Sequence, residues 1–166
     1  MPDIQIQESG SGEIQAIIEL AWKIWPLWYE PIIGPEQVVF MLDQIYNSDA
    51  ISDQIDKGQA FYLVSLKEKK VGFFSINPGK DSTCRLEKLY LLPDFKGNGI
   101  GKLMLLQAEN LAASSSNKMQ LNVNRFNPSL EFYLNQGYKI VSEVDIPFGP
   151  FFLNDFVLEK EIQIAQ

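Results

Sequence analysis

Histidine is missing from all 166 residues. Its absence removes a histidine-centred triad and most zinc sites. Acid–base chemistry must then fall to carboxylates, tyrosines, lysines or water. Cysteine is nearly missing: Cys84 stands alone, so no internal disulfide can form. A chain without a disulfide framework reads as cytoplasmic by default. Positive charge is scarce, with 14 Lys and Arg against 21 Asp and Glu and a net charge of −7. That balance argues against nucleic acid as a partner, which needs a basic face. It fits a cationic small substrate, and equally a protein kept soluble by its charge. No apolar run reaches the ~18 residues of a membrane span, so no membrane partner is expected. The opening MPDIQIQESG lacks the basic, apolar and small-residue succession of a signal peptide.

What is there is ordinary for a globular domain: 46% apolar and 21% charged residues. A chain of this length reads as one domain, residues 1–166, with room for a substantial core. IQIQ alternates as a short strand, and Ile14, Ile17, Ile18 and Ala21 recur at helical spacing. The pattern predicts a first helix that stops at Pro26. Pro35 then opens a second, with Val38, Val39, Leu42 and Ile45 on one side. DAISDQIDKG reads as a short third helix ended by Gly58. AFYLVSL and VGFFSIN read as strands joined across KEKK, followed by the strand TCRLEKLYLLP. A helix of roughly 15 residues follows. Then come the strand KMQLNVN, a helix from Pro128 closed by Gly137, and two strands around PFGP. The order implies a mixed α/β domain with antiparallel hairpins.

FKGNGIGK, Phe95 to Lys102, lies between a strand and a helix. Glycine there frees backbone N–H groups at a helix N-terminus, where the dipole favours a phosphate. Lys96 and Lys102 add local positive charge. The dinucleotide fingerprint would need glycine at 102, which is Lys102. The P-loop would need glycine at 96 and Ser or Thr at 103, which are Lys96 and Leu103. Both motifs fail. The loop alone can still be a tight strand-to-helix turn.

With its flanks, LYLLPDFKGNGIGKLML resembles the acetyl-CoA signature of the GNAT superfamily of N-acetyltransferases, [QR]xxGx[GA]. Lys96 stands where the family has Gln or Arg. NRFNPSLEFYLNQGYKIV resembles the family's later segment, through Asn127, Phe132, Tyr133, Gly137 and Tyr138. WPLWYEPIIGPEQVVFML and DIPFGPFFLNDFVLEK look like the substrate-side helices and closing hairpin of bacterial members.

The resemblance implies a single GNAT domain with a mostly antiparallel sheet splayed at the cofactor site and flanked by helices. It implies acetyl-CoA as co-substrate and no metal. Leu89, Tyr90 and Leu91 would pair with the pantetheine arm. Lys96, Gly97, Asn98, Gly99, Ile100, Gly101 and Lys102 would hold the pyrophosphate. Asn127 would contact the cofactor, and an oxyanion donor would lie near Leu91. Tyr133 would meet the thioester sulfur as a hydrogen-bond donor.

Glu87 in LEKLYL resembles the base of the polyamine-acetyltransferase branch. Alternation groups it with Leu89 and Leu91. Its bland reading is a solvated strand carboxylate. Trp25, Trp28 and Tyr29 belong to an aromatic cluster that is either core or the wall of an acceptor pocket, where ring faces attract ammonium ions. Cys84 reads as a buried strand residue. The expected activity is acetyl transfer to a primary amine on a small cationic acceptor. A non-catalytic acyl-CoA sensor and a protein or peptide acetyltransferase stay as alternatives, and a homodimer stays open.

Overall fold

The computed structural model describes residues 3–163. The elements run β1 (Ile4–Ser9), α1 (Ile14–Ile33), α2 (Pro35–Ile45), α3 (Ser48–Asp56), β2 (Ala60–Leu66), β3 (Lys69–Pro78) and β4 (Thr83–Leu91). They continue with α4 (Ile100–Ala112), β5 (Lys118–Asn124), α5 (Ser129–Asn135), β6 (Lys139–Phe148) and β7 (Phe151–Glu161). The strands form one sheet in the order β1-β2-β3-β4-β5-β7-β6. Every pairing is antiparallel except β4 with β5.

The period-two pattern of the strands divides the core in two. Val64, Phe74, Leu86, Met119 and Leu121 meet Met104, Leu105 and Ala108 of α4 on one face. Phe61, Leu63 and Phe73 meet Ile17, Ile24, Trp25 and Leu42 of α1 and α2 on the other. The β2–β3 hairpin closes through Lys67 and Glu68, both at positive φ, as a tight two-residue turn requires.

Four local expectations change. Helix α1 does not stop at Pro26; it carries Pro26 and Pro31 and ends at Gly34, φ +83. An interior proline costs about 3 kcal/mol. Fully burying each of Ile17, Leu20 and Ile24 returns about 1.5–3 kcal/mol, so the packed face outweighs the missing N–H groups. On α2, Val39 is 49% exposed, and Met41 joins Val38 and Leu42 in the core. The α4 helix is also shorter, at 13 residues.

The fourth change bears on the site. Ser75 pairs with Lys88 but Ile76 pairs with Leu86, leaving Glu87 as the extra residue of a bulge. A bulge re-aims the side chains that follow it. Leu86, Leu89 and Leu91 consequently share the α4 face, while Lys88 and Tyr90 turn to the α1–α3 face. Glu87 therefore does not share a face with Leu89 and Leu91; it pairs with Arg85.

Candidate active site

Strands β4 and β5 pair only from Thr83–Lys118 to Arg85–Gln120. Beyond that point they diverge. Arg85 marks the fork: its Nη1 donates to Gln120 Oε1 at 2.6 Å and its Nη2 to Asn122 Oδ1 at 2.8 Å. Two cavities meet in the gap and share Tyr29, Glu87, Lys88, Tyr90 and Asn122.

The first cavity, about 210 Å³, lies under the glycine loop and is lined by Leu89, Lys96, Gly101, Asn127 and Tyr133 among others. Among the described residues, nothing accepts the backbone N–H groups of Gly97 through Lys102. Leu103 is the first to bond back, to Gly99 O at 3.1 Å. Gly97 and Gly99 sit at φ +86 and +79 with open space around them, which favours glycine. Gly101 has no such φ; a Cβ there would make ordinary contact with Phe132 at 3.9 Å. These free donors at the start of α4 form an anion-binding cradle.

Trp28 joins the loop to the strand. Its Nε1 donates to Leu91 O at 3.0 Å, and Lys96 Nζ lies 4.7 Å from its ring centroid. Both backbone groups of a strand residue point to the same neighbour, so the Leu91 N–H faces the gap as well. Trp28 lines the first cavity and not the second. It therefore stands on the loop side, apart from Trp25, which lines the second cavity.

On α5, Asn127 Oδ1 accepts from Ser129 N–H at 2.9 Å and fixes the entry to the helix. Tyr133 is 8% exposed, edge-on to Phe132 and Tyr138. Burial raises its pKa well above the ordinary tyrosine value, and Tyr29 adds to the shift. It stays protonated, so its hydroxyl keeps a proton to donate in a hydrogen bond. Cys84 is buried, and burial pushes its thiol up to about 11, which leaves it un-ionised.

The second cavity, about 380 Å³, opens on the α1–α3 face. Trp25 and Tyr29 line it, with ring centroids 4.5 Å apart, and Tyr90 packs on both. Its charged members are Arg85, Glu87, Lys88 and Asp155. Glu87 Oε1 takes Arg85 Nε at 3.2 Å. Asp155 accepts from Asn122 Nδ2 at 3.3 Å, and burial raises its pKa. Lys88 and Asp155 were not among the residues expected here. Lys88 follows a bulge the sequence does not mark, and Asp155 lies two strands from β4 in the sheet.

The family model for the acetyltransferase (GNAT) domain matches residues 30–146. The chain belongs to the GNAT acetyltransferase family. It is an acyl-CoA-dependent acetyltransferase. The GNAT relatives include a spermidine N(1)-acetyltransferase of Thermoplasma acidophilum, 25% identical over 96% of this chain and 98% of its own. A peptidyl-lysine N-acetyltransferase of Salmonella typhimurium is 30% identical over 74% of this chain and 81% of its own. The PaiA N-acetyltransferase of Thermoplasma acidophilum, solved with coenzyme A, shares the GNAT fold. Its TM-score is 0.80 at 23% identity, over 96% of this chain and 99% of that one. No helix among the described residues is long and apolar enough to cross a membrane.

Proposed function

We propose that the protein transfers an acetyl group from acetyl-CoA directly to a small primary amine. One observation carries the reading: the free N–H groups of Gly97 to Lys102 open onto a strand gap that ends at buried Tyr133. These residues fit CoA, which would supply the activated thioester. Gly97 to Lys102 hold its pyrophosphate, with Lys96 and Lys102 adding charge. Leu89 to Leu91 present strand backbone to the pantetheine arm, and Asn127 lies beside it.

The Leu91 N–H stabilises negative charge developing on the thioester oxygen. Tyr133 donates a hydrogen bond to the departing sulfur, which leaves as the thiolate and takes up the second proton that the attacking nitrogen sheds as the amide forms. A thiol's pKa of about 8.5 lies below tyrosine's about 10 even without burial, so Tyr133 keeps its proton. The amine arrives as ammonium, cationic at its reacting nitrogen, and must lose a proton before it attacks. Glu87 stands where the cavities meet and takes that proton directly or through water. Asp155 adds a second carboxylate that attracts the ammonium. Trp25 and Tyr29 wall the acceptor.

The reading is tested with Tyr133→Phe. Turnover should fall about 100-fold, while CoA affinity by calorimetry changes less than about threefold, roughly 0.7 kcal/mol. Unchanged turnover would remove Tyr133 from the chemistry, and a wild-type protein that binds CoA but turns over no amine would favour a non-catalytic acyl-CoA sensor. The peptidyl-lysine relative supports a second reading, acetylation of a protein side chain, and a peptide acceptor belongs in the same assay. A cytoplasmic setting, where thiols stay reduced, is part of the proposal.

A further inference from the structure

Lys88 has no part in the acetyl transfer described above, yet it is 7% exposed. Its Nζ donates to Gln54 Oε1 at 2.6 Å and to Gln59 Oε1 at 3.1 Å. Both amides are held with their oxygens toward it. Gln54 Nε2 donates to Ile45 O at 3.0 Å, and Gln59 Oε1 also accepts from Ser75 Oγ at 3.0 Å. Nζ lies 5.3 Å and 5.8 Å from the ring centroids of Phe61 and Tyr46. The surroundings are built for an ammonium.

They include no carboxylate. Among the described residues no acidic oxygen lies within ion-pair distance of Lys88, and Glu87 is paired with Arg85. A buried cation without a counter-ion is costly. An ammonium has three N–H donors, and two are used here. Lys88 and Gln54 both line the second cavity.

The other charges of that cavity divide simply. Arg85 and Glu87 offset each other. That leaves Asp155 of β7 and Lys88 of β4, whose Nζ reaches Gln54 of α3, one negative and one positive. The cavity is dipolar. At about 380 Å³ it stands at the small end of ligand sites.

We propose that Lys88 binds a carboxylate carried by the acceptor, so that the amine substrate is of the amino-acid class. The inference rests on the second cavity being the acceptor site. The acceptor's ammonium lies toward Asp155 and Glu87, and its carboxylate receives the third N–H of Lys88 in a charge-assisted hydrogen bond. A polyamine would instead bring a second ammonium against Lys88.

The test compares amino acids, including short ω-amino acids, with their primary amides, their decarboxylated amines and spermidine, using thiol release. The wild-type protein should favour the carboxylate-bearing member of each pair at least tenfold in kcat/KM. Lys88→Met should abolish that preference by raising KM for the amino acid, with kcat and the KM for acetyl-CoA nearly unchanged. Lys88→Arg should keep part of it. A wild-type protein that acetylates amides, amines or spermidine as well as amino acids overturns the proposal, and that result does not depend on a variant folding. So does a Lys88→Met protein that loses all acceptors equally, which marks a structural lysine. Failure to bind CoA refutes the transferase reading itself. If CoA binds but no amine turns over, calorimetry of an amino acid against the CoA complex decides, and no binding there overturns both.

Discussion

Trp28 Nε1 donates to the carbonyl of Leu91 at 3.0 Å, tying helix α1 to the strand edge beside the glycine loop. The same indole carries Lys96 on its face at 4.7 Å. A net hydrogen bond contributes about 1 kcal/mol and an exposed cation–π contact about 0.5–1 kcal/mol. Trp28→Phe removes the first and weakens the second. The expected outcome is a rise of about three- to tenfold in KM for acetyl-CoA, with the KM for the amine little changed. Steady-state kinetics in both substrates checks it.

The glycines of the loop are not equivalent. Gly97→Ala and Gly99→Ala each force a side chain into a left-handed conformation costing roughly 1–2 kcal/mol. Both should weaken CoA binding about tenfold. Gly101 lies inside α4 at ordinary φ, where alanine is favoured by about 0.8–1 kcal/mol. Gly101→Ala should raise the melting temperature, measured without cofactor, while the other two lower it.

Gly72 allows β3 to approach the active strand. A Cβ there would lie 2.4 Å from Tyr90 O and 3.3 Å from Leu91 Cα, so the backbone itself must move. Overpacking of this kind costs about 1–3 kcal/mol. Gly72→Ala should destabilise the fold and displace Leu91, lowering kcat more than an equally destabilising substitution far from β4. Denaturant titration paired with kinetics separates the two effects.

Lys88 predicts a pH dependence of stability. Burial pulls its pKa down from 10.5 to about 8. Between those values the unfolded chain binds the proton that the fold has released, so stability rises with pH through this window. Below about pH 8 the folded protein carries the full penalty of the buried charge. That penalty is on the order of 3 kcal/mol. The groups facing Lys88 are Gln54, Gln59, Tyr46 and Phe61, with Glu87 acting at longer range. Denaturation midpoints of wild type and Lys88→Met should converge between pH 8 and 10. Parallel curves across that range would count against it.

The loop was legible because strand, glycine turn and helix start are adjacent in the chain, and free N–H groups follow from that local order. Gly58 and Gly137 were legible at helix ends for the same reason, and both sit at positive φ. Pro26 misled because local propensity cannot weigh the buried face of α1 against a missing donor. Glu87 was grouped with Leu89 because alternation assumes an unbroken strand, and the bulge opposite Ser75 and Ile76 breaks it.

By itself the sequence determined the α/β order of elements, the bare backbone before α4 and the family to which it belongs. Each depends on neighbours in the chain, whose spacing sets conformation directly. Only the tertiary structure decided that Trp28 serves the loop, that Lys88 turns inward without a counter-ion and that Asp155 faces the same cavity. Those facts depend on which strands lie side by side and where one of them bulges. Packing across the whole sheet sets both, and no local pattern of residues encodes them.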